Sequence, residues 1–243
     1  MRSFSIREGL ELSPSSYAAV MAAFFLRVII MQRTSYLTPN LLASSQALRE
    51  HIAFHEAGHV VAIYLRNRQL KLPPVFFQII IHKERNEQFE FFAKIEGGKL
   101  IGNLPVAAIE HKHLNTATDK QSLQQAYEAD VVNLLIGPLA EAKFVAFCDG
   151  EEFNAQLVDL HALKHYGGHS DLDMARRYLE HFISDVELRE VRLRVLFAQA
   201  FEFISDPKHW QCIHFFAHYL LDNKQTLISC EQVSACLDAF CAT

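Results

Sequence analysis

The chain has 243 residues, of which 50% are hydrophobic and 21% charged, and its formal net charge is −5. Such a composition can bury one sizeable core and excludes a chain that is disordered overall. The negative balance and the lack of a dense block of lysine or arginine argue against a nucleic-acid-binding surface.

Residues 1–47 are interpreted as an N-terminal extension and linker. The apolar stretch 17–31 contains Arg27 and is shorter than the about 20 residues that a membrane-spanning helix needs. Acidic residues precede it, which is not typical of a signal peptide. We therefore expect an accessory helix here, with membrane association through residues 17–31 as the less favoured alternative. The five cysteines include no C-x-x-C pair and indicate no disulfide framework, so the expected localisation is cytoplasmic.

Residues 46–66 are predicted to form a helix that carries the sequence HEAGH at positions 55–59. Histidines four apart project from one face of a helix, so His55 and His59 can bind one ion. Zinc prefers imidazole nitrogen, and a catalytic zinc site has three protein ligands and a water. Glu56 lies where it can take a proton from that water as general base. A structural pair of histidines is the alternative interpretation, but the apolar residues on both sides embed the motif in a helix.

The remaining elements follow in chain order. After Pro73-Pro74, two strands of a β-hairpin are predicted, closed by Gly97 and Gly98. The two strands cover 75–82 and 88–96. A helix is expected over 119–147, with an interruption at Gly137-Pro138. Further helices are expected over 154–165, over 171–204 as one or two helices, and over 208–222 and 230–241. The predicted fold class is therefore mainly α with a small β-hairpin or sheet, in one domain that spans residues 48–243.

The sequence after HEAGH narrows the class of zinc site. A metzincin would have glycine at position 62 and histidine at position 65, which are alanine and leucine here. A gluzincin would supply a glutamate from a second helix, but the glutamates within a few tens of residues fall in the hairpin region. The start of the helix near residue 171 is a better source of a third ligand. The candidates at this point are Asp171, Asp173, His169 and Glu141.

Two segments carry a resemblance to a known family. One is the HEAGH helix with the apolar residues 52–54 before it, and the other is the run His-Ser-Asp-Leu-Asp-Met-Ala at 169–175. Together they resemble the zinc-peptidase domain of the membrane AAA+ protease FtsH and its mitochondrial and chloroplast relatives. Residues 132–141 are similar to that family's apolar helix ending in Gly-Arg-x-Ala-Glu, with Pro138 in place of arginine. Residues 209–233 are similar to its closing helices, so the likeness covers about 48–243.

The resemblance implies a zinc-dependent metalloendopeptidase that acts on peptides or unfolded proteins. It implies zinc held by His55, His59 and Asp171, with Glu56 as the catalytic residue. The chain lacks the phosphate-binding sequence G-x-x-x-x-G-K-[ST], so we expect no ATP-driven unfolding of its own. A separate ATPase or adaptor would then deliver substrates. Self-association into a homo-oligomer is a further expectation. The competing interpretation is a catalytically silent relative that serves as an interaction or assembly module, against which the intact Glu56 argues.

The choice of Asp171 also follows from the local pattern. Ser170 and Asp173 resemble a capping box, in which Ser170 is the N-cap and Asp173 reaches back to its N–H. Asp171 would then stand at the first helical position, free to point toward the histidines, and is favoured over Asp173, His169 and Glu141. Glu141 is expected either to support a zinc-bound imidazole or to end a helix on the surface.

Overall fold

The computed structural model describes residues 45–82, 92–101 and 117–241. The apolar stretch 17–31 and the predicted hairpin connection therefore lie outside the described residues. The helices are α1 (Ser45–Val61), α2 (Ala117–Cys148), α3 (His169–Glu180), α4 (Val186–Ser205), α5 (Pro207–Asp222) and α6 (Cys230–Cys241), and the strands are β1 (Phe77–Ile81), β2 (Ala93–Gly97) and β3 (Leu227–Ser229). The predicted fold class, mainly α with a small sheet, is confirmed.

Helix α1 lies at the centre of the structure, packed against α2 and α5. It continues without a break into a π-helical turn, Ala62–Arg66, and a last α-helical turn, Asn67–Gln69. Gly58 lies where α1 meets α2: a Cβ added there would lie 2.7 Å from Ala140 Cβ and 2.9 Å from the Ile136 carbonyl oxygen. Glycine at this position allows the two backbones to approach closely, which brings the HEAGH motif against α2.

Helix α2 is continuous through Gly137 and Pro138, so the predicted interruption at these residues is wrong. A proline inside a helix removes one backbone hydrogen bond and crowds the preceding turn. Here the Pro138 ring packs tightly on Gly168, where an added Cβ would lie 2.6 Å from Pro138 Cβ. Tertiary packing therefore outweighs the local cost of the proline.

The apolar character of α2 also reflects its packing in the core. By length and composition alone, its segment Gln121–Cys148 could cross a membrane, but 72% of the most apolar window is buried in the structure. The helix packs against α1, α3 and α4. A core helix of this kind passes the same length test as a membrane span.

The sheet has the strand order β2-β1-β3, and both pairings are antiparallel. Ile79 of β1 lies opposite Ile95 of β2 and Ile228 of β3. The predicted hairpin strands are confirmed. Strand β1 is shorter than expected, and β2 ends one residue later than expected, at Gly97. Strand β3 was not predicted, because three residues are too few to show an alternating pattern. The outer strand β2 lies against α1, beside the HEAGH motif.

One predicted helix differs from the structure. Within the expected helix 154–165, only a 3₁₀ turn, Ala162–Tyr166, forms. The Asn154 side chain accepts hydrogen bonds from the N–H groups of Gln156 and Leu157, which offers the backbone an alternative to helix. Of the two alternatives for residues 171–204, the structure has two helices, α3 and α4. Asp185 caps α4 by accepting from the Leu188 N–H.

The last two helices, predicted over 208–222 and 230–241, are confirmed as α5 and α6. The cysteine pattern indicated no disulfide framework, but Cys212 is disulfide-bonded in the structure. Cys148, Cys230 and Cys236 are free thiols.

Replacement of Gly58 by alanine tests the close packing of α1 on α2. The added methyl group overlaps Ala140 and the Ile136 carbonyl, so we expect a loss of about 1–3 kcal/mol in the free energy of unfolding. Gly150→Ala is the matched control, because no atom lies within 4 Å of an added Cβ there and only its positive φ of 67° opposes alanine. Chemical denaturation measures both variants, and a Gly58→Ala protein as stable as the wild type would contradict the packing.

Candidate metal centre

Three side chains predicted as metal ligands lie together between α1 and the start of α3. The Nε2 atoms of His55 and His59 are 3.1 Å apart. Asp171 places Oδ2 at 3.3 Å from His55 Nε2 and Oδ1 at 3.6 Å from His59 Nε2. Ligand atoms around a tetrahedral zinc with bonds of 2.0–2.1 Å are roughly 3.3 Å apart. The group can therefore hold a metal ion, with the ligand atoms already at suitable separations.

Hydrogen bonds orient both imidazoles for this task. His55 Nδ1 lies 3.1 Å from Glu141 Oε2 and 3.1 Å from the Tyr166 carbonyl oxygen, both of which accept its proton. His59 Nδ1 donates to the Asn133 carbonyl oxygen at 2.9 Å. A proton fixed on Nδ1 leaves the Nε2 lone pair free for a metal, and such partners hold the ring in place. Of the two sequence-based expectations for Glu141, the supporting contact to His55 is the one that the structure shows.

Two glycines make room for the imidazoles. A Cβ on Gly137 would lie 2.3 Å from the His59 ring, so a residue with a side chain cannot occupy this position of α2. Gly167 ends the 3₁₀ turn with a φ of +72°, and an added Cβ would lie 3.2 Å from both His55 Nδ1 and Glu141 Oε2. Glycine is favoured there both by the backbone conformation and by the lack of space.

The start of α3 differs from the predicted capping box. The helix begins at His169 after Gly168, and no side chain caps it. Ser170 is thus the second helical residue and Asp171 the third, because the 3₁₀ turn leads directly into α3 and the Leu172 N–H already bonds to the Gly168 carbonyl. Asp171 nevertheless faces the histidines, as predicted.

The alternative third ligands point elsewhere. Asp173 does not reach back to Ser170; its carboxylate lies 3.7 Å from His169 Nδ1, and both of these side chains are more than half exposed. Glu141 is fully buried, but it contacts the Nδ1 side of His55, away from the Nε2 atom that faces Asp171. The structure therefore leaves Asp171 as the residue that completes the group.

Glu56 lines the same cavity as the three ligands, a space of about 290 Å³. Its Oε2 accepts a hydrogen bond from the Ile95 N–H of β2 at 3.2 Å, which ties the motif to the sheet. Burial raises the pKa of Glu56 to about 7, although the charge of His55 opposes this rise. A carboxyl group with a pKa near neutrality is suited to accept and return a proton.

The electrostatic setting favours a cation among the ligands. Burial lowers the pKa of His59 to about 4, so this imidazole is neutral at pH 7, as a ligand must be. Burial also opposes a charge on His55, but hydrogen bonds and charges from Asp171 and Glu141 outweigh it and raise its pKa to about 10, so a metal ion would displace a proton from His55 Nε2. Burial opposes ionisation of Asp171 too, yet His59 and His55 keep its pKa below the usual range. The site thus attracts positive charge.

Some contributors were not predicted from the sequence. The Tyr166 and Asn133 carbonyls act through the backbone, so their residue types gave no signal. Asp130 also lines the cavity. The sequence feature that could have identified it is an acidic residue at the start of an apolar helical run. His51, one turn before His55, lies 3.5 Å from Glu141 Oε1.

Comparisons with known proteins do not assign the chain to a family. No family model matches it, and neither a curated protein nor a solved structure does. The resemblance to the FtsH peptidase domain therefore stays a prediction from sequence motifs.

Asp171→Asn and Asp173→Asn separate the third ligand from its neighbour. We expect Asp171→Asn to weaken zinc binding by more than about 100-fold, since a ligand matters more than an outer hydrogen-bond partner. Asp173→Asn changes an exposed side chain and should alter stability by less than about 0.5 kcal/mol with zinc retained. Competition with a chelating dye measures both affinities, and loss of zinc from the Asp173 variant alone would overturn the assignment.

Glu141→Gln tests the support of His55. Glutamine keeps the shape but weakens the hydrogen bond to His55 Nδ1, so zinc affinity should fall by about 10–100-fold. Glu128→Gln on the same helix is the control, because Glu128 pairs with Arg192 and should leave zinc binding unchanged. Equal zinc affinities for the two variants would show that Glu141 does not act on the metal site.

Proposed function

We propose that this protein is a zinc-dependent metalloendopeptidase that hydrolyses peptide bonds in peptides or unfolded proteins. The observation that carries the proposal is the position of Glu56, a potential general base, in the same cavity as His55, His59 and Asp171. Among the described residues, the group contains three ligands. Three protein ligands beside an accessible cavity are typical of a catalytic zinc site, whereas a structural site is closed by four.

Two imidazoles and one carboxylate also form the ligand set of some iron oxygenases. Two features favour zinc and hydrolysis. The separations of the ligand atoms match a tetrahedral site. Glu56 follows the first histidine directly, which places a proton acceptor beside the ligands. Metal analysis distinguishes the two ions directly.

The residues of the chain have distinct roles in this proposal. Zinc held by His55, His59 and Asp171 would lower the pKa of a water to about 7 and would polarise a carbonyl group. Glu56 takes the proton released as water attacks the peptide carbonyl and gives it to the nitrogen of the leaving amine. Glu141 and the carbonyls of Asn133 and Tyr166 hold the imidazoles so that the ligand atoms stay converged.

The size of the cavity bears on the substrate. A space of about 290 Å³ is at the lower end of ligand pockets, so an extended segment fits and a folded domain does not. Peptides and unfolded segments are therefore the proposed substrates. Folded proteins would need a separate ATPase or adaptor to unfold and deliver them.

Glu56→Gln separates catalysis from metal binding. Glutamine cannot accept the proton, so we expect about one zinc per chain, as in the wild type, and peptidase activity lower by about 100-fold or more. Glu50→Gln on the same helix is the control, because Glu50 contacts Gln46 and lies outside the cavity. Elemental analysis and cleavage of casein and quenched fluorescent peptides give the two readouts. Full activity in Glu56→Gln, or a wild type without zinc and without cleavage, would contradict the proposal.

A further inference from the structure

Two lysines line the cavity and have no part in the chemistry described above. Lys94 of β2 is exposed, whereas Lys99 is half-buried. Lys99 lines the same cavity as Glu56 and the metal group. Lys99 comes two residues after the end of β2, because Gly97 is the last residue of the strand and Gly98 follows it. Its side chain is partly exposed, and no salt bridge joins it to another described residue.

The two glycines fix the chain before Lys99. Both have a positive φ, +85° at Gly97 and +76° at Gly98. An added Cβ would lie 2.6 Å from the Phe76 carbonyl oxygen at Gly97 and 2.8 Å from Ile63 Cδ1 at Gly98. The turn that carries the chain from β2 into the cavity wall therefore needs glycine at both positions.

Asp130 of α2 fixes the chain after Lys99. Its carboxylate is 1% exposed and accepts the N–H groups of Leu100 at 2.9 Å and Ile101 at 3.0 Å. Each carboxylate oxygen is thus used by the backbone. The backbone of Lys99 is held on both sides. The two amides use both oxygens of Asp130, although the charge of Lys99 also acts on this carboxylate.

The ammonium group of Lys99 lies within electrostatic range of the metal group. Burial and the other site residues have the larger effects on the pKa values of His59 and Asp171, and Lys99 also lowers both. The cavity thus has a positive charge on its wall, carried by a residue whose backbone is held in place.

We propose that Lys99 is a specificity-determining residue that binds a carboxylate of the peptide substrate near the scissile bond. The inference rests on the proposed peptidase function and names its substrate class. Lysine offers a compact positive charge with three donors, whereas the carboxylates of Glu56 and Asp171 repel anions elsewhere in the cavity. The carboxylate belongs either to an aspartate or glutamate side chain or to the C-terminus of the peptide, and both are recognised by the same charge.

Binding to an inactive protein tests this role without catalysis. The probes are N-acetylated alanine hexapeptides in which one glutamate or one glutamine occupies each position in turn, all with an amidated C-terminus. A second pair contains no glutamate and differs only in a free or amidated C-terminus. Calorimetry with zinc-loaded Glu56→Gln protein should give about tenfold tighter binding for the charged member of one pair, as expected for a single charge-assisted contact. The pair that shows the difference identifies the source of the carboxylate.

Variants of Lys99 then locate the effect. In the Glu56→Gln protein, Lys99→Met should abolish the difference between charged and neutral peptides. Lys99→Glu should reverse it, so that a lysine-containing hexapeptide binds more tightly than the glutamate one. Lys164→Met is the matched control, because Lys164 is also partly exposed but lies outside the cavity, and it should keep the preference. With Glu56 intact, the same variants should show the change in kcat/KM.

The outcomes distinguish the role of Lys99 from the proposed function. Equal affinity for charged and neutral peptides, or a preference that survives in Lys99→Met, overturns the role of Lys99 if the wild type binds zinc and cleaves peptides. A wild type with neither zinc nor cleavage overturns the proposed function and the substrate role together.

Discussion

The close approach of α1 to α2 is the constraint on which the rest of the structure depends. Gly58 lets the two helices touch, and Gly137 leaves a space on α2 that the His59 imidazole fills. The same contact places Asn133 and Glu141 of α2 next to the Nδ1 atoms of the two histidines. Packing and metal-site geometry therefore have one cause, since a wider helix separation would lose both.

A second contact brings the third ligand to the site. The Pro138 ring of α2 packs on Gly168, which fixes the start of α3 against the core. Asp171 follows three residues later and faces the two histidines, while Gly167 turns the chain so that the Tyr166 carbonyl meets His55. From the sequence, Pro138 was predicted to interrupt the helix. In the folded protein it stays helical and supports the site through its contact with Gly168.

Much of the site could be predicted because its signals are local. Periodicity alone places the two histidines of HEAGH, the candidate ligands, on one helix face. The mainly α fold with a small hairpin follows from the hydrophobic pattern. The identity of Asp171 required a resemblance between motifs, because spacing alone left Asp173, His169 and Glu141 open. The structure brings Asp171 to the histidines, although the capping box that supported the choice does not form.

The errors have a common physical origin in tertiary contacts and side-chain bonds that a periodic pattern does not contain. Pro138 stays helical because of its neighbour Gly168, and residues 154–165 leave the helical conformation because the Asn154 side chain binds backbone N–H groups. Strand β3 depends on a partner, β1, nearly 150 residues earlier in the chain. Gly137 was read as a helix breaker, whereas its role is to leave room for an imidazole.

X-ray absorption spectroscopy at the zinc edge, on zinc-reconstituted protein freed of excess metal, tests the central claim most directly. The account predicts one zinc per chain, coordinated by two imidazoles and a carboxylate at about 2.0–2.2 Å. The spectrum of His55→Ala should lose the scattering of one imidazole. Sulfur ligands at about 2.3 Å, no imidazole scattering, or a protein that retains no zinc would contradict a metal centre formed by His55, His59 and Asp171.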